Sequence, residues 1–303
     1  LDPAITRSGR TGHSIVFSLP EKAERAKLWQ YYTRKMPLAE SVDWSRVARM
    51  CTGMSPADIA QAANSSGLQA LRSGREEIET GDILAAIETI LWGEYADKMP
   101  IAQDELWRVA VHEAGHALMS WTSGVEIDRV CVRPRAGALG FVRLLPKEGV
   151  HSMKQSEIAA HLGVAFGGAV AESVVLQNHG TGAESDMLRI RGLVSNAVRA
   201  SGMNEDYPAG VPCFSVEQEA SPSLQAKVEE IENKIIVDAY KSTKDYLLKN
   251  KDVLTDLAEV LKSERELDGI FVENFLGARL KPKIFNGTID QSLAIAAKNQ
   301  ESL

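Results

Sequence analysis

Apolar residues recur at helical spacing through most of the chain. From Glu21 to about Gly93 the reading is helical. Ile83, Leu84, Ile87, Ile90 and Leu91 fall on one stripe, so that helix lays one face on a core. Ser55-Pro56 supplies an N-cap with proline at the first helical position, and Asp58, three residues after the serine, supports it. Further helices are expected over about 103–121, near 153–177 and near 183–201, then from Ser221-Pro222 and over about 251–263. Ile190, Leu193, Val194, Ala197 and Val198 mark one apolar face, and Thr181 with Glu184 reads as a capping box ahead of it. Leu224, Val228, Ile231, Ile235 and Ala239 form the stripe of the next helix. Two segments read as strand instead. "HSIVFSLP", residues 13–20, suggests a short strand after an opening loop. "RVCVRPRAGALGFVRLLP", residues 129–146, has β-branched residues around a Pro and Gly turn and predicts a β-hairpin. The expected fold class is mainly α with a small β-hairpin or sheet.

Bulk properties narrow this picture. The 303 residues suffice for two domains with separate cores. Residues 1–95 read as a small, mostly helical unit, and "ADKMPIAQD", residues 96–104, as the junction. A composition of 44% apolar and 25% charged residues is ordinary for a soluble globular protein. A net charge of −7 argues against a general nucleic-acid binder, which needs a basic surface to neutralise phosphates. Cys51, Cys131 and Cys213 are far apart and form no CxxC pair, so a reducing compartment is expected. No apolar run reaches the length of a membrane span: the most apolar stretch, Leu162 to Leu176, is interrupted by Glu172. No signal peptide is visible. The opening "LDPAITRSGR" has no initiator Met and suggests a piece of a longer chain, and the last twenty or so residues read as a polar tail.

The candidate chemistry sits in "VAVHEAGHALM", Val109 to Met119. His112 and His116 are four apart on the expected helix, about 40° apart in projection and one turn apart along the axis, so both imidazoles reach one metal ion. Glu113 lies about 60° from His116 in that projection and stands beside the metal without ligating it. This is the HExxH arrangement, in which two histidines bind zinc and the glutamate acts as general base on a metal-bound water. Ala110, Ala114, Gly115 and Ala117 are small, which suits a helix with a close neighbour. A catalytic zinc needs a third protein ligand and an open position. The metzincin extension would require His at 122, where Thr122 stands. Glu172 lies in the apolar "AFGGAVAESVV", where a carboxylate is costly unless paired or metal-bound. Asp186 lies in the first turn of the helix after "TGAES". His151, His161 and His179 are weaker candidates in polar surroundings. Spacing alone does not rank Asp186 against Glu172.

"VHEAGHAL", "PRAGALGFVRLLP", "AFGGAVAESVV" and "TGAESDM" follow one another in an order that resembles the membrane-bound AAA proteases of the FtsH type. "LDPAITRSGR" resembles the end of that family's ATPase core, and "CTGMSPADIAQAANSSGLQAL" its helical lid; the resemblance extends to about residue 277. It implies an end of the ATPase core over residues 1–20, a lid over 21–95, a mostly helical zinc metallopeptidase domain over 103–280 and a tail over 281–303. It implies zinc on His112, His116 and Asp186, with Glu113 as base and Glu172 orienting a histidine through its other ring nitrogen. The strand near Gly140 to Leu145 is where an extended peptide would add to a sheet edge. Arg7 and Arg10 match two arginines presented to a neighbouring subunit's nucleotide, a task for which arginine suits a transferring phosphoryl group.

The same resemblance implies a homo- or hetero-hexamer that degrades membrane and soluble polypeptides, with ATP and Mg2+ serving the full-length protein. It also implies a membrane anchor upstream and a peptidase facing a reducing compartment. No GxxxxGK[ST] loop occurs, so the nucleotide core is expected upstream of Leu1. The alternatives are a non-proteolytic scaffold subunit of such a ring and an ATP-independent soluble zinc hydrolase. Thr11, Gly12 and His13 replace the family's usual Phe-Asp-Arg. Ala169 and Ser173 replace its Arg after the paired glycines and its second Glu. Neither of the last two changes touches a proposed ligand.

Overall fold

The computed structural model describes residues 17–96, 99–135, 138–145, 152–203 and 222–280. Arg7, Arg10, residues 11–13, His151, Cys213 and the residues after 280 lie outside these. The chain divides into two compact units, Leu1–Glu94 and Tyr95–Leu303.

In the first unit four helices are described: α1 (Lys22–Thr33), α2 (Trp44–Met50), α3 (Pro56–Arg72) and α4 (Thr80–Trp92). Ser55 caps α3 as its sequence suggests: the Asp58 N–H donates to Ser55 Oγ at 3.2 Å, and Asp58 Oδ2 accepts from the Ser55 N–H at 2.8 Å. Trp29, Met54, Ile59, Ile78, Ile83 and Ile87 fill the core. The α4 stripe is buried at Ile83, Leu84 and Ile87 but runs out at its C-terminal end, where Leu91 is exposed. The strand expected over 13–20 does not extend into the described residues. Phe17 to Pro20 form no regular structure and Phe17 is exposed, so no partner strand covers it among the described residues.

The second unit is built on α5 (Gln103–Thr122). Beside it lie α6 (Gln155–Val175), α9 (Lys251–Glu264) and α10 (Gly269–Gly277), while α7 (Glu184–Ser195) and α8 (Pro222–Lys249) pack on α6. A hairpin of β1 (Ile127–Cys131) and β2 (Phe141–Leu144) forms as its sequence predicts, antiparallel, with Val130 opposite Val142 and Cys131 opposite Phe141. A third strand, β3 (Glu266–Asp268), pairs with β1 on its other side and gives the order β2-β1-β3. Three residues, two of them charged, are too few for alternation to register, which is why β3 is invisible in the sequence. Arg265, left-handed at φ 66°, turns the chain from α9 into β3.

Two expectations are corrected here. Thr181 does not form the capping box. Residues Thr181–Ala183 make a 3-10 turn, and the Glu184 N–H donates to the Thr181 backbone carbonyl rather than to its hydroxyl. Second, an apolar run does reach spanning length: the 21-residue α6 is long and apolar enough to cross a membrane. However, 72% of its most apolar window is buried inside the fold, packed on α5 and α8, and it serves as the central core helix. Cys51 and Cys131 are free and buried.

Candidate metal centre

Small residues let α5 and α6 approach until their backbones touch. A Cβ on Gly167 would lie 2.7 Å from the Gly115 carbonyl oxygen, closer than any real side chain tolerates, and one on Gly115 would collide with the Gly167 carbonyl. This contact brings the inner face of α5, with His112, Glu113 and His116, against α6 and its buried Glu172. Gly168 serves the site directly. A Cβ there would sit 2.5 Å from His112 Cδ2 and Cε1, so only glycine leaves room for the imidazole. α7 contributes Asp186 in its first turn.

The three candidate ligands converge. His112 Nε2 and His116 Nε2 are 3.0 Å apart, and Asp186 Oδ2 lies 3.3 and 3.2 Å from them. Four ligands set tetrahedrally at zinc bond lengths of about 2.0–2.1 Å are about 3.3 Å from one another, so this spacing fits one zinc ion. Hydrogen bonds set the tautomers. His116 Nδ1 faces the Val164 carbonyl at 2.7 Å, which can only accept, so Nδ1 carries the proton and Nε2 offers its lone pair. His112 Nδ1 faces Glu172 Oε1 at 2.6 Å with the same consequence. Glu172 Oε2 accepts from the Gly180 N–H at 2.8 Å and from Arg108 Nη1 at 3.3 Å. With both imidazoles neutral, two lone pairs and a carboxylate oxygen face one another, an arrangement that fits a cation between them.

Charges in the metal-free site reflect this. Burial opposes protonation of His112, but hydrogen bonds to Asp186 and Glu172 outweigh it and push the imidazole up to about 10. Burial likewise opposes ionisation of Asp186, yet the two histidines hold its carboxyl well below the usual range. Glu172 is held low against its burial by His112, the Gly180 N–H and Arg108. Glu113 goes the other way: burial pushes its carboxyl up, against the pull of His116 and His112. Glu113 is not part of the ligand cluster. Gly140, just before β2, lies over it, and a Cβ on Gly140 would come within 2.8 Å of Glu113 Cγ and Oε1.

All these groups open into a cleft of about 490 Å³. Leu139, Phe141, Val142 and Leu144 line it, as do Gly180 to Gly182, Ser185 and Arg189. His161 and His179 do not join the cluster, and Ala169 and Ser173 do not line the cleft. Arg108, Gly168 and Val164 escape a reading of the sequence alone, as does the contact of Gly140 with Glu113. Arg108, four residues before His112 on the same helix face, carries a visible signal; a backbone carbonyl carries none.

Comparison with known proteins agrees with this geometry. The model of peptidase family M41 matches residues 99–273, more than half of the chain. The chain belongs to peptidase family M41. That family is one of peptidases, and the donor set described above fits a zinc ion. The model of the AAA+ lid domain matches residues 41–85. The ATP-dependent zinc metalloprotease FtsH of Acidothermus cellulolyticus is 30% identical over 290 residues, covering 91% of this chain and 44% of the relative. FtsH 4 of Sorangium cellulosum is 31% identical over 298 residues, covering 93% and 46%. FTSH 11 of Arabidopsis thaliana, chloroplastic or mitochondrial, is 30% identical over 265 residues, covering 86% and 32%. The chain therefore spans less than half the length of these relatives.

Proposed function

We propose that this chain is the proteolytic portion of an ATP-dependent protease, in which His112, His116 and Asp186 hold zinc and Glu113 is the general base. The observation that carries this is the spacing of the three donor atoms at 3.0 to 3.3 Å, with a buried carboxylate beside them but outside the cluster. When bound, zinc supplies a Lewis acid that acidifies water and polarises a peptide carbonyl. Glu113 takes a proton from the attacking water and passes it to the leaving amine. Glu172 and the Val164 carbonyl hold the Nδ1 protons of His112 and His116, so both Nε2 lone pairs stay turned inward. The outer edge of β2 faces no other strand among the described residues and lines the cleft, so an extended polypeptide adds there by main-chain hydrogen bonds.

The same reading assigns residues 1–20 to the end of an ATPase core, 21–95 to its lid, 103–280 to the peptidase and 281–303 to a tail. The names of the relatives and the lid match support ATP-dependent proteolysis; the same reading makes the full protein a hexamer, homo- or hetero-oligomeric, acting on membrane and soluble polypeptides. In it Arg7 and Arg10 contact a neighbour's nucleotide, ATP with Mg2+ binds upstream, and a membrane anchor precedes this chain. Glu113→Gln tests the mechanism: casein cleavage is abolished while zinc stays bound. Unchanged cleavage in that variant would sink the role of Glu113. Zinc that stays stoichiometric in Asp186→Ala but is lost in Glu172→Ala would overturn the ligand set. A native protein that binds zinc and cleaves nothing would favour the scaffold reading.

A further inference from the structure

The cleft holds one cationic side chain that the metal site does not use. Arg189 is on α7, three residues beyond Asp186, and lines the same cleft. Residues three apart on a helix are neighbours, about 5–6 Å between Cβ atoms, so Arg189 stands next to the ligand on the cleft side. The other arginine of the cleft is engaged: Arg108 bonds Glu172 at 3.3 Å and lies 3.8 Å from Glu105. Asp186 gives its Oδ2 to the two histidines. Arg189 is exposed and makes no ion pair or hydrogen bond with any other described residue. The residues that β2 and the chain just before it give to the cleft, Leu139, Gly140, Phe141, Val142 and Leu144, carry no charge. A peptide that fills the cleft therefore meets both an apolar strand and an uncommitted guanidinium.

We propose that Arg189 is a specificity-determining residue that selects an acidic side chain in the substrate, close to the scissile bond. The proposal rests on the zinc-peptidase reading given above. A guanidinium partly withdrawn from water by a bound peptide gains most from a carboxylate, which matches its planar fork and forms charge-assisted hydrogen bonds. Its position gives the register. Three residues of helix advance about 4.5 Å along the axis, and an extended peptide advances about 3.3 Å per residue. With the reach of the arginine side chain added, the favoured acid falls about one to three residues from the bond that is cut. The chain as a whole carries −7, so an acidic segment is repelled by the molecule at large and attracted at this point.

The test uses fluorogenic peptides that differ only by Glu or Gln at each position flanking the scissile bond, cleaved by the zinc-loaded chain. At one of these positions kcat/KM for the Glu peptide is expected to exceed that for the Gln peptide by roughly 3- to 10-fold, the scale of a charge pair that keeps part of its water. Arg189→Gln brings the ratio to about one, and Arg189→Glu inverts it in favour of the Gln peptide. Raising the salt compresses the ratio in the native protein. Equilibrium binding of the same peptides, N-methylated at the scissile amide and followed by fluorescence anisotropy, reads the preference without turnover. A Glu preference that survives Arg189→Gln, or its absence at every position in the native protein, overturns the proposal and leaves the peptidase reading intact. An Arg189-dependent binding preference with no cleavage of any peptide supports acidic selection and overturns the peptidase reading instead.

Discussion

Replacing Glu172 with Gln probes how the site chooses its histidine tautomer, and the outcome follows from the hydrogen bonds. Both carboxylate oxygens accept: Oε1 from His112 Nδ1 at 2.6 Å, Oε2 from the Gly180 N–H at 2.8 Å and Arg108 Nη1 at 3.3 Å. Glutamine has one acceptor oxygen and one NH2 group. With its oxygen toward His112, its NH2 meets two donors, from Gly180 and Arg108, and those bonds are lost. With its oxygen toward Gly180 and Arg108, its NH2 faces His112 Nδ1, which must then accept. The ring proton moves to Nε2, and the lone pair that would hold zinc is gone. The site is only 2% exposed at Glu172, so water does little to repair either arrangement. Losing a partner that orients a metal-bound histidine weakens metal binding by about 10- to 100-fold, or about 1.4–2.8 kcal/mol. Competition against a chromophoric chelator near neutral pH measures this, with circular dichroism of the metal-free variant to show that the fold persists. A zinc Kd within about twofold of the parent, with the fold intact, would refute the tautomer argument.

Two further predictions use the same geometry. Gly168→Ala forces a methyl group into the His112 ring, so zinc affinity falls at least about tenfold with little loss of helix. Gly115→Ala instead strikes the α6 backbone and is expected to lower the melting temperature by the effect of about 1–3 kcal/mol of overpacking; equal zinc loss and equal destabilisation in both would contradict the distinction. The metal-free protein should also lose stability with rising pH. His112 is raised from 6.5 to about 10 on folding, so its contribution is fully present below 6.5 and disappears as pH climbs toward about 10. Thermal melts across that window should fall in the presence of a chelator and not in the presence of zinc, where His112 stays neutral as a ligand; parallel curves would count against it.

The helices were legible because their apolar stripes are long and regular: Val228, Ile231 and Ile235 read as one face and pack on the core. The hairpin was legible because β-branched residues flank a recognisable turn. What escaped was short or depended on tertiary partners. β3 is three residues long, and the turn at Thr181 exchanges a side-chain cap for a backbone one without altering composition. α6 shows the limit of hydropathy. Its aliphatic residues and alanines make it apolar enough for a membrane, while its glycines, Gly167 above all, answer to the close passage of α5, which no single-sequence average contains.

The metal site divides along the same line. His112 and His116 lie on one helix, so local periodicity alone brings their rings together; Asp186 is 74 positions from His112, and no periodicity spans that gap. Glu172 was visible as an anomaly, a carboxylate in an apolar helix, but its meaning depends on which atom it faces. A carboxylate facing a shared ion and one holding a ring proton have the same sequence signature and opposite consequences. Facing the ion, Glu172 would compete with Asp186 as a ligand. Holding the Nδ1 proton, as the 2.6 Å contact favours, it turns the Nε2 lone pair of His112 toward Asp186, which is why that aspartate is the third donor in the proposed ligand set. The anomaly therefore marks the site without belonging to its proposed ligands, and a buried charge in a core helix is read correctly only once its nearest proton is known.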